Sequence, residues 1–236
     1  MSYLLTAAII SSIVFVHELG HFAAARAAGI PVAALSLGFG PALMRKRWRG
    51  TEFRLSVIPF GGYLLPEAAD PDDFLRISPL RRIALSLGGP AANFLTAIPL
   101  FSILNAVRGS SDIHSLFILP FIQTASFLSQ MVSSLAGMFS HAGELMGIVG
   151  IVSSGSSFTS SAAAALTFAA LISLNLALFN LLPVPALDGG KIVLALFEFI
   201  TPRARALHLP LSAAGWVLII LLMAYVTVLD VGRIVS

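Results

Sequence analysis

The sequence predicts an α-helical polytopic membrane protein, with about four core transmembrane helices and a membrane-associated β-hairpin between the first and second. Three observations predict it. Of 236 residues, 57% are hydrophobic and only 11% charged, where a soluble domain carries about 25% charged residues. The mean hydropathy is +0.93. Four apolar stretches reach the roughly 20 residues needed to cross a bilayer, and a two-residue alternation interrupts the helical pattern after the first of them. The length suits one compact unit over residues 1–236.

The first span covers about residues 3–26. It opens at the N-terminus but has no basic leader, and its apolar run ends in His17-Glu18-Leu19-Gly20-His21 instead of a small-residue cleavage site. It therefore reads as a mature helix. The β-hairpin follows at about 33–63. Leu35, Leu37 and Phe39 alternate with Ser36 and Gly38, and Phe53, Leu55 and Val57 alternate with Arg54 and Ser56. The basic run "RKRWRG" at 45–50 supplies a turn at the membrane surface. Spans at about 83–104, 161–182 and 209–229 complete the set. Pro183 and Pro185 end the third of these four, since proline breaks a helix and restricts the residue before it. Between spans two and three, the segment at about 105–160 contains an apolar stretch, 113–139, interspersed with Ser, Gln and Thr. It is expected to lie in the outer interface. An extra span there needs two crossings to keep the next span oriented.

Charge sets the orientation. Twelve of the 14 basic residues lie between spans one and two (Arg26 to Arg82) or three and four (Lys191, Arg203, Arg205). The positive-inside rule places both loops in the cytoplasm and both termini outside. The net charge of +3 is modest, and the expected surroundings are a lipid bilayer, with no nucleic acid. There are no cysteines, so disulfides and thiolate metal sites are excluded. Any metal must use His, Asp or Glu.

His17 and His21 are i and i+4 on a helix, with their rings on one face a turn apart. Two imidazoles so placed can hold one zinc ion, and Glu18, one position round, reaches a bound water as general base. A chance match leaves three ionisable groups in an apolar helix without a purpose, and such groups are costly and usually functional. Zinc needs a third protein ligand and an open position. The acidic candidates from position 113 onward are Glu144, Asp188, Glu198 and Asp230. Asp188 emerges on the same cytoplasmic side as the histidines, but it also suits a helix N-cap, and spacing does not decide between the two. His114, His141 and His208 have no helical partner at i+3 or i+4 and read as surface residues.

His17-Glu18-Leu19-Gly20-His21 together with Asn180-x-x-Pro183-x-Pro185-x-Leu187-Asp188-Gly189-Gly190 resembles the site-2 proteases, intramembrane zinc metalloproteases, in their bacterial branch that cuts membrane-anchored anti-sigma factors. "LSLGFGPAL" at 35–43, "TEFRLSVIPFGGY" at 51–63, "GGPAANF" at 88–94 and "LISLNLALFNLLPVPALDGG" at 171–190 extend the likeness over most of the chain.

The resemblance implies that His17, His21 and Asp188 hold Zn2+ and that Glu18 is the catalytic base. It makes Asn175, Asn180 and, more weakly, Asn93 substrate contacts; without it, these asparagines read as makers of interhelical hydrogen bonds. A helical substrate must unwind to be cut, and its freed backbone groups need partners in lipid. The hairpin carrying Phe53, Leu55 and Val57 offers a strand edge for them. The substrates implied are single-span membrane proteins or signal-peptide remnants, in the bacterial inner membrane, with the active site toward the cytoplasm. Many relatives carry a PDZ domain of some 80–100 residues between spans two and three, whereas only about 55 residues separate Leu104 from Ser161 here. A gate would then come from 105–160, where Glu144 is a candidate, or from a separate gating or adaptor protein. The rival readings are a catalytically silent membrane protein that binds or transports a metal, against which the intact Glu18 argues, and a di-iron membrane enzyme, which wants more than five histidines.

Overall fold

The computed structural model describes residues 2–68, 70–138 and 160–235. In chain order these form α1 (Ser2–Ala27), β1 (Val32–Trp48), β2 (Thr51–Pro66), α2 (Pro71–Arg76), α3 (Pro79–Val107), a π-helical turn (His114–Ile118), α4 (Leu119–Met138), α5 (Ala162–Asn180), α6 (Asp188–Ile200), a 3-10 turn (Pro202–Leu207) and α7 (His208–Val235). Among the described residues, five helical segments are long and apolar enough to cross a membrane: Leu4–Ala27, Pro79–Val107, His114–Ser134, Ala162–Asn180 and Pro202–Leu229.

The third of these is the difference from the sequence reading. The stretch expected in the interface has the length and composition of a span. Several of the polar residues that argued for an interface are bonded inside the helix, and Gln123 pairs with Asn105 of α3. Thr124 donates to the Pro120 carbonyl at 2.8 Å, and Ser133 and Ser134 donate to Ser129 and Gln130 carbonyls at 2.9 Å. A hydroxyl that bonds back four residues has little need of water. His141 and Glu144 lie outside the described residues.

The two strands are joined at Arg49-Gly50, both with positive φ (47° and 86°), in the manner of a two-residue I′ hairpin turn; they pair antiparallel from that turn, while residues 34–37 of β1 run in step with 52–55 of β2 and antiparallel to 62–65. β1 is bent where Gly38 and Gly40 take φ of 89° and 86°. The bend gives the first half of β1 two neighbours. Ala34 faces Glu52 and Leu65, Leu35 faces Phe53 and Leu64, Ser36 faces Arg54 and Tyr63, and Leu37 faces Leu55 and Gly62. The second half of β1 pairs with the first half of β2, from Trp48↔Thr51 to Met44↔Leu55. The edges of the sheet are therefore the second halves of both strands. This corrects the expected substrate edge: Phe53 and Leu55 have strand partners on both sides, and Val57, half-exposed, lies beyond them.

The chain divides into two units, residues 1–9, 94–175 and 217–236, and residues 10–93 and 176–216. The first has a core of Ala97, Phe101, Leu104, Ala170 and Leu174, with Phe94, Phe127 and Met131 against it. Phe101 and Phe127 stack at 5.4 Å, and Asn105 pairs with Gln123 at 3.0 Å. In the second, Ala25, Ile30, Val32 and Leu85 form the core. There α1 and α3 meet backbone to backbone: a Cβ on Gly20 would overlap the Gly88 carbonyl, and one on Gly88 the Gly20 carbonyl.

The second unit also buries a charged cluster. Arg82 Nη2 donates to both Glu198 oxygens at 2.7 and 2.6 Å, and Arg82 Nε to the Ile77 carbonyl at 2.9 Å. His208 Nε2 is 2.7 Å from Glu198 Oε1, and Arg205 Nε 3.5 Å from Oε2. His208 is thus not the surface residue expected; it is 7% exposed. Burial works to raise the Glu198 pKa, but the Arg82 hydrogen bonds and charge, with His208 and Arg205, hold it below the ordinary value.

Two outcomes test this packing. Gly88→Val should cost about 1–3 kcal/mol through the α1–α3 crossing, read as a lower midpoint of thermal unfolding in detergent. Because Glu198 is depressed in the folded state, its stabilising effect is present above the ordinary glutamate pKa and lost as pH falls through the lowered value. Glu198→Gln should lower the midpoint at pH 7 and flatten its decline on acidification.

Candidate active site

The site is built from the α1 face that carries His17 and His21, the α3 segment from Leu85 to Asn93, and the first residue of α6. One helical turn sets the two imidazoles together: His17 Nε2 and His21 Nε2 are 3.1 Å apart, with the rings edge-on at 4.7 Å between centroids. Asp188 Oδ2 lies 3.3 Å from His17 Nε2 and 3.1 Å from His21 Nε2. All three residues are buried.

Asp188 reaches them because the chain turns sharply before α6. The residue preceding the helix is Leu187, which offers no side-chain cap. Asp188 is the first helical residue, and its carboxylate goes to the histidines and, through Oδ1, to Lys191 Nζ at 3.1 Å. The alternative role as N-cap is not the one it takes. Gly189 and Gly190 make the turn possible. A Cβ on the first would overlap the Leu181 carbonyl, and one on the second the Val184 carbonyl.

The ring nitrogens away from Asp188 are held in turn. His21 Nδ1 lies 2.8 Å from the Leu85 carbonyl and 3.2 Å from the Gly89 N–H; with the proton on Nδ1 donated to the nearer carbonyl, Nε2 keeps its lone pair for a metal. The Asn93 side-chain amide lies 3.3 Å from His17 Nδ1. Oxygen and nitrogen of an amide exchange by a half-turn; with the oxygen inward, Asn93 accepts the Nδ1 proton and bares Nε2. Asn93 is fully buried beside His17, which suits a residue that orients its ring. Gly89 makes room, since a Cβ there would press on the Nε2 atoms of both histidines.

The donor set fits a zinc ion. Two imidazole nitrogens and one carboxylate oxygen form a triangle with sides of 3.1, 3.1 and 3.3 Å. Ligands at about 2.0–2.1 Å in a tetrahedron stand about 3.3 Å apart, and three protein ligands leave the fourth position open. Among the described residues, this is the group whose His and carboxylate atoms converge in this way.

Glu18, partly buried, lies beside the sheet edge: a Cβ on Gly62 would be 2.9 Å from Glu18 Cγ and 2.8 Å from the Ser36 carbonyl. The edge that meets the expected base is therefore Gly62–Leu65, which the sequence reading did not single out; its signal was the pair Gly61-Gly62. Asn180 Nδ2 donates to the Leu176 carbonyl at 2.9 Å, within its own helix. Asn175, which belongs to the first unit, donates to the Leu171 carbonyl at 3.1 Å. Phe53 packs edge-on to Phe22 at 5.5 Å.

The model of peptidase family M50 matches residues 5–223. Similar proteins carry names that propose zinc metalloproteases. One from Chlamydia pneumoniae is 38% identical over 130 residues, 48% of this chain and 21% of its own length. One from Chlamydia trachomatis is 39% identical over 119 residues, 43% of this chain and 19% of its own. One from Campylobacter jejuni is 27% identical over 348 aligned positions, which take in 100% of this chain and 95% of its own. The chain spans about a fifth of the length of the two chlamydial relatives.

If Asn93 orients His17, Asn93→Leu should weaken zinc binding about 10- to 100-fold, read by competition with a chelator, while the fold survives.

Proposed function

The chain belongs to peptidase family M50, and from that premise we propose that it is a zinc-dependent intramembrane endopeptidase. The observation that carries this reading is the His17–His21–Asp188 triangle with Glu18 one residue from His17. His17 and His21 through Nε2, and Asp188 through Oδ2, would hold the ion. Zinc, when bound, supplies the acidity that activates a water and polarises the scissile carbonyl.

The rest is the work of this chain's own groups. Leu85 and Asn93 hold the two rings so that their lone pairs converge. Glu18 accepts the proton of the attacking water and returns it to the leaving amine, so the reaction needs no covalent enzyme intermediate. The Gly62–Leu65 edge offers backbone donors and acceptors to a substrate segment unwound beside Glu18. Strand addition of this kind satisfies peptide groups that lipid cannot. Buried α1 and α3 backbone around Gly20 and Gly88 keeps the two ring-holding elements in register.

The substrates we propose are single-span membrane proteins, such as anti-sigma factors, or signal-peptide remnants. The proposed setting is the bacterial inner membrane, with the basic loops and the active site toward the cytoplasm and both termini outside. That orientation requires zero or two crossings between α3 and α5, and α4 supplies at most one among the described residues. A separate gating or adaptor protein is the proposed route for selecting substrates.

The test compares detergent-purified wild type with Glu18→Gln. Both should bind about one zinc. Only wild type should cut single-span peptides within the span, with the variant slower by about 10²–10⁴-fold, as mass spectrometry of new termini would read. Loss of zinc from wild type on chelation should abolish cleavage. If wild type binds no zinc, the site assignment fails.

A further inference from the structure

The hairpin turn carries a basic cluster that the proposed chemistry does not use. Arg45, Lys46, Arg47 and Arg49 are exposed, as is Trp48 between them. The acid within the same stretch, Glu52, is occupied by Arg54 at 2.6 Å, with Arg45 Nε more distant at 3.8 Å. Residues 45–54 thus hold five cations against one anion.

The position of this cluster is fixed by hydrogen bonds. Arg26, in the last turn of α1, donates through Nη2 to the Arg49 carbonyl at 2.8 Å and to Thr51 Oγ1 at 3.2 Å. Thr51 Oγ1 donates to the Val32 carbonyl at 2.8 Å. The turn is therefore level with the end of a helix long and apolar enough to cross a bilayer. At the other end of the sheet, Gly62 adjoins Glu18, eight residues earlier on α1, or about 12 Å deeper along the helix. Most of the exposed residues sort along the same axis, Leu65 in the row of Arg47 being the exception. Phe39, Val57 and Ile58 lie toward the deep end, Leu43 and Met44 between, and the cations at the turn. Trp48, with the Arg49 guanidinium 4.8 Å over its ring, is an aromatic of the kind that settles at headgroup level.

We propose that Arg45, Lys46, Arg47 and Arg49, with Trp48, form a docking surface for the anionic headgroups of the bilayer in which the protein sits. Charge complementarity and depth both favour this occupant. The turn is tethered level with the end of α1, its four cations are exposed with Arg45 alone near a carboxylate, at 3.8 Å, and the apolar residues behind it continue toward the deep end of the sheet. An acidic soluble protein would match the charge but not the apolar gradient leading up to it. Each such cation near an anionic surface strengthens attachment about fivefold. The inference rests on membrane residence and not on metal chemistry, so it stands or falls apart from the peptidase reading.

The chain has two tryptophans. Full-length protein carrying Trp216→Phe leaves Trp48 as the sole reporter. It would be placed in nanodiscs of phosphatidylcholine alone, or with about one-third phosphatidylglycerol, and quenched with acrylamide. With the anionic lipid, quenching of Trp48 should fall about twofold or more, and the difference should collapse at high salt. Combined Arg45→Gln, Lys46→Gln, Arg47→Gln and Arg49→Gln should remove the difference while zinc content and helical circular dichroism stay unchanged. Equal quenching in the two lipids overturns the proposal, and needs no variant at the turn to do so. A lipid difference that persists in the fourfold variant also overturns it. So does protection of Trp48 by a polyglutamate peptide in neutral discs when phosphatidylglycerol gives none, which would assign the turn to a protein partner.

Discussion

Three side-chain atoms brought to within 3.3 Å of one another, from residues 17, 21 and 188, are the constraint on which the second unit depends. Two of the three are local, since an i, i+4 pair is set by helix geometry alone. The third comes from a residue 171 positions away. Holding it there takes a turn that admits no Cβ at Gly189 or Gly190 and a helix crossing that admits none at Gly20 or Gly88. The same crossing brings the Leu85 carbonyl onto His21 Nδ1. Close backbone approach and ligand orientation are thus one arrangement. Glycines that look like flexibility in the sequence are here the absence of side chains at contacts that have no space for them.

Polar groups in the apolar helices divide into two kinds by where their hydrogen bonds go. Thr124, Ser133, Thr167, Asn175, Asn180 and Thr227 donate to carbonyls four residues back in their own helices. That arrangement lets a polar residue sit in an apolar environment without a partner helix. His17, His21 and Asp188 do the opposite and turn their atoms toward one another across elements. Arg82, Glu198 and His208 do the same at the far end of α6. Removing one partner from such a buried set leaves an uncompensated charge, so the second cluster ties the start of α3 to the end of α6, while Asp188 ties α6's start to α1.

Much of this was legible in the sequence, and the parts that were not share a cause. The helical pair His17 and His21, Glu18 beside them and the strands of the hairpin are signals of local period. Asp188 was legible as a candidate because its neighbours Pro185 and Gly189 mark a turn, but a contact across 171 residues is not encoded in any period. The order of the sheet was missed for the same reason. Alternation of Phe53, Leu55 and Val57 says strand, but not which strand lies on either side; Gly38, Gly40 and Gly61, all with positive φ, mark where the pairing changes. His208 was misjudged because its partner Glu198 lies ten residues before it and Arg82 lies 126 residues away. A glutamate inside the apolar run Ile192 to Ile200 was the available sign that some cation had to come to it. The stretch 113–139 was read from its polar residues, and the sequence does not display that Thr124 and Ser133 bond within their helix and Gln123 to Asn105.

The bends in the strands follow from length. A straight strand of 17 residues, as β1 counts, would run about 56 Å, nearly twice the roughly 30 Å of hydrocarbon in a bilayer. Folding each strand once at its glycines halves that reach. The consequence is positional. The turn at Arg49-Gly50 returns to the level of Arg26, and the second bend returns Gly62 to the level of Glu18. An unbent hairpin tethered at Val32 would put its turn far from Arg26 and leave its open edge running past the ligand triangle. With the bends, one edge stops beside the Glu18 carboxylate and the basic turn stays beside Arg26. The same two glycine-marked breaks that shorten the sheet also decide which strand half is open and what it faces.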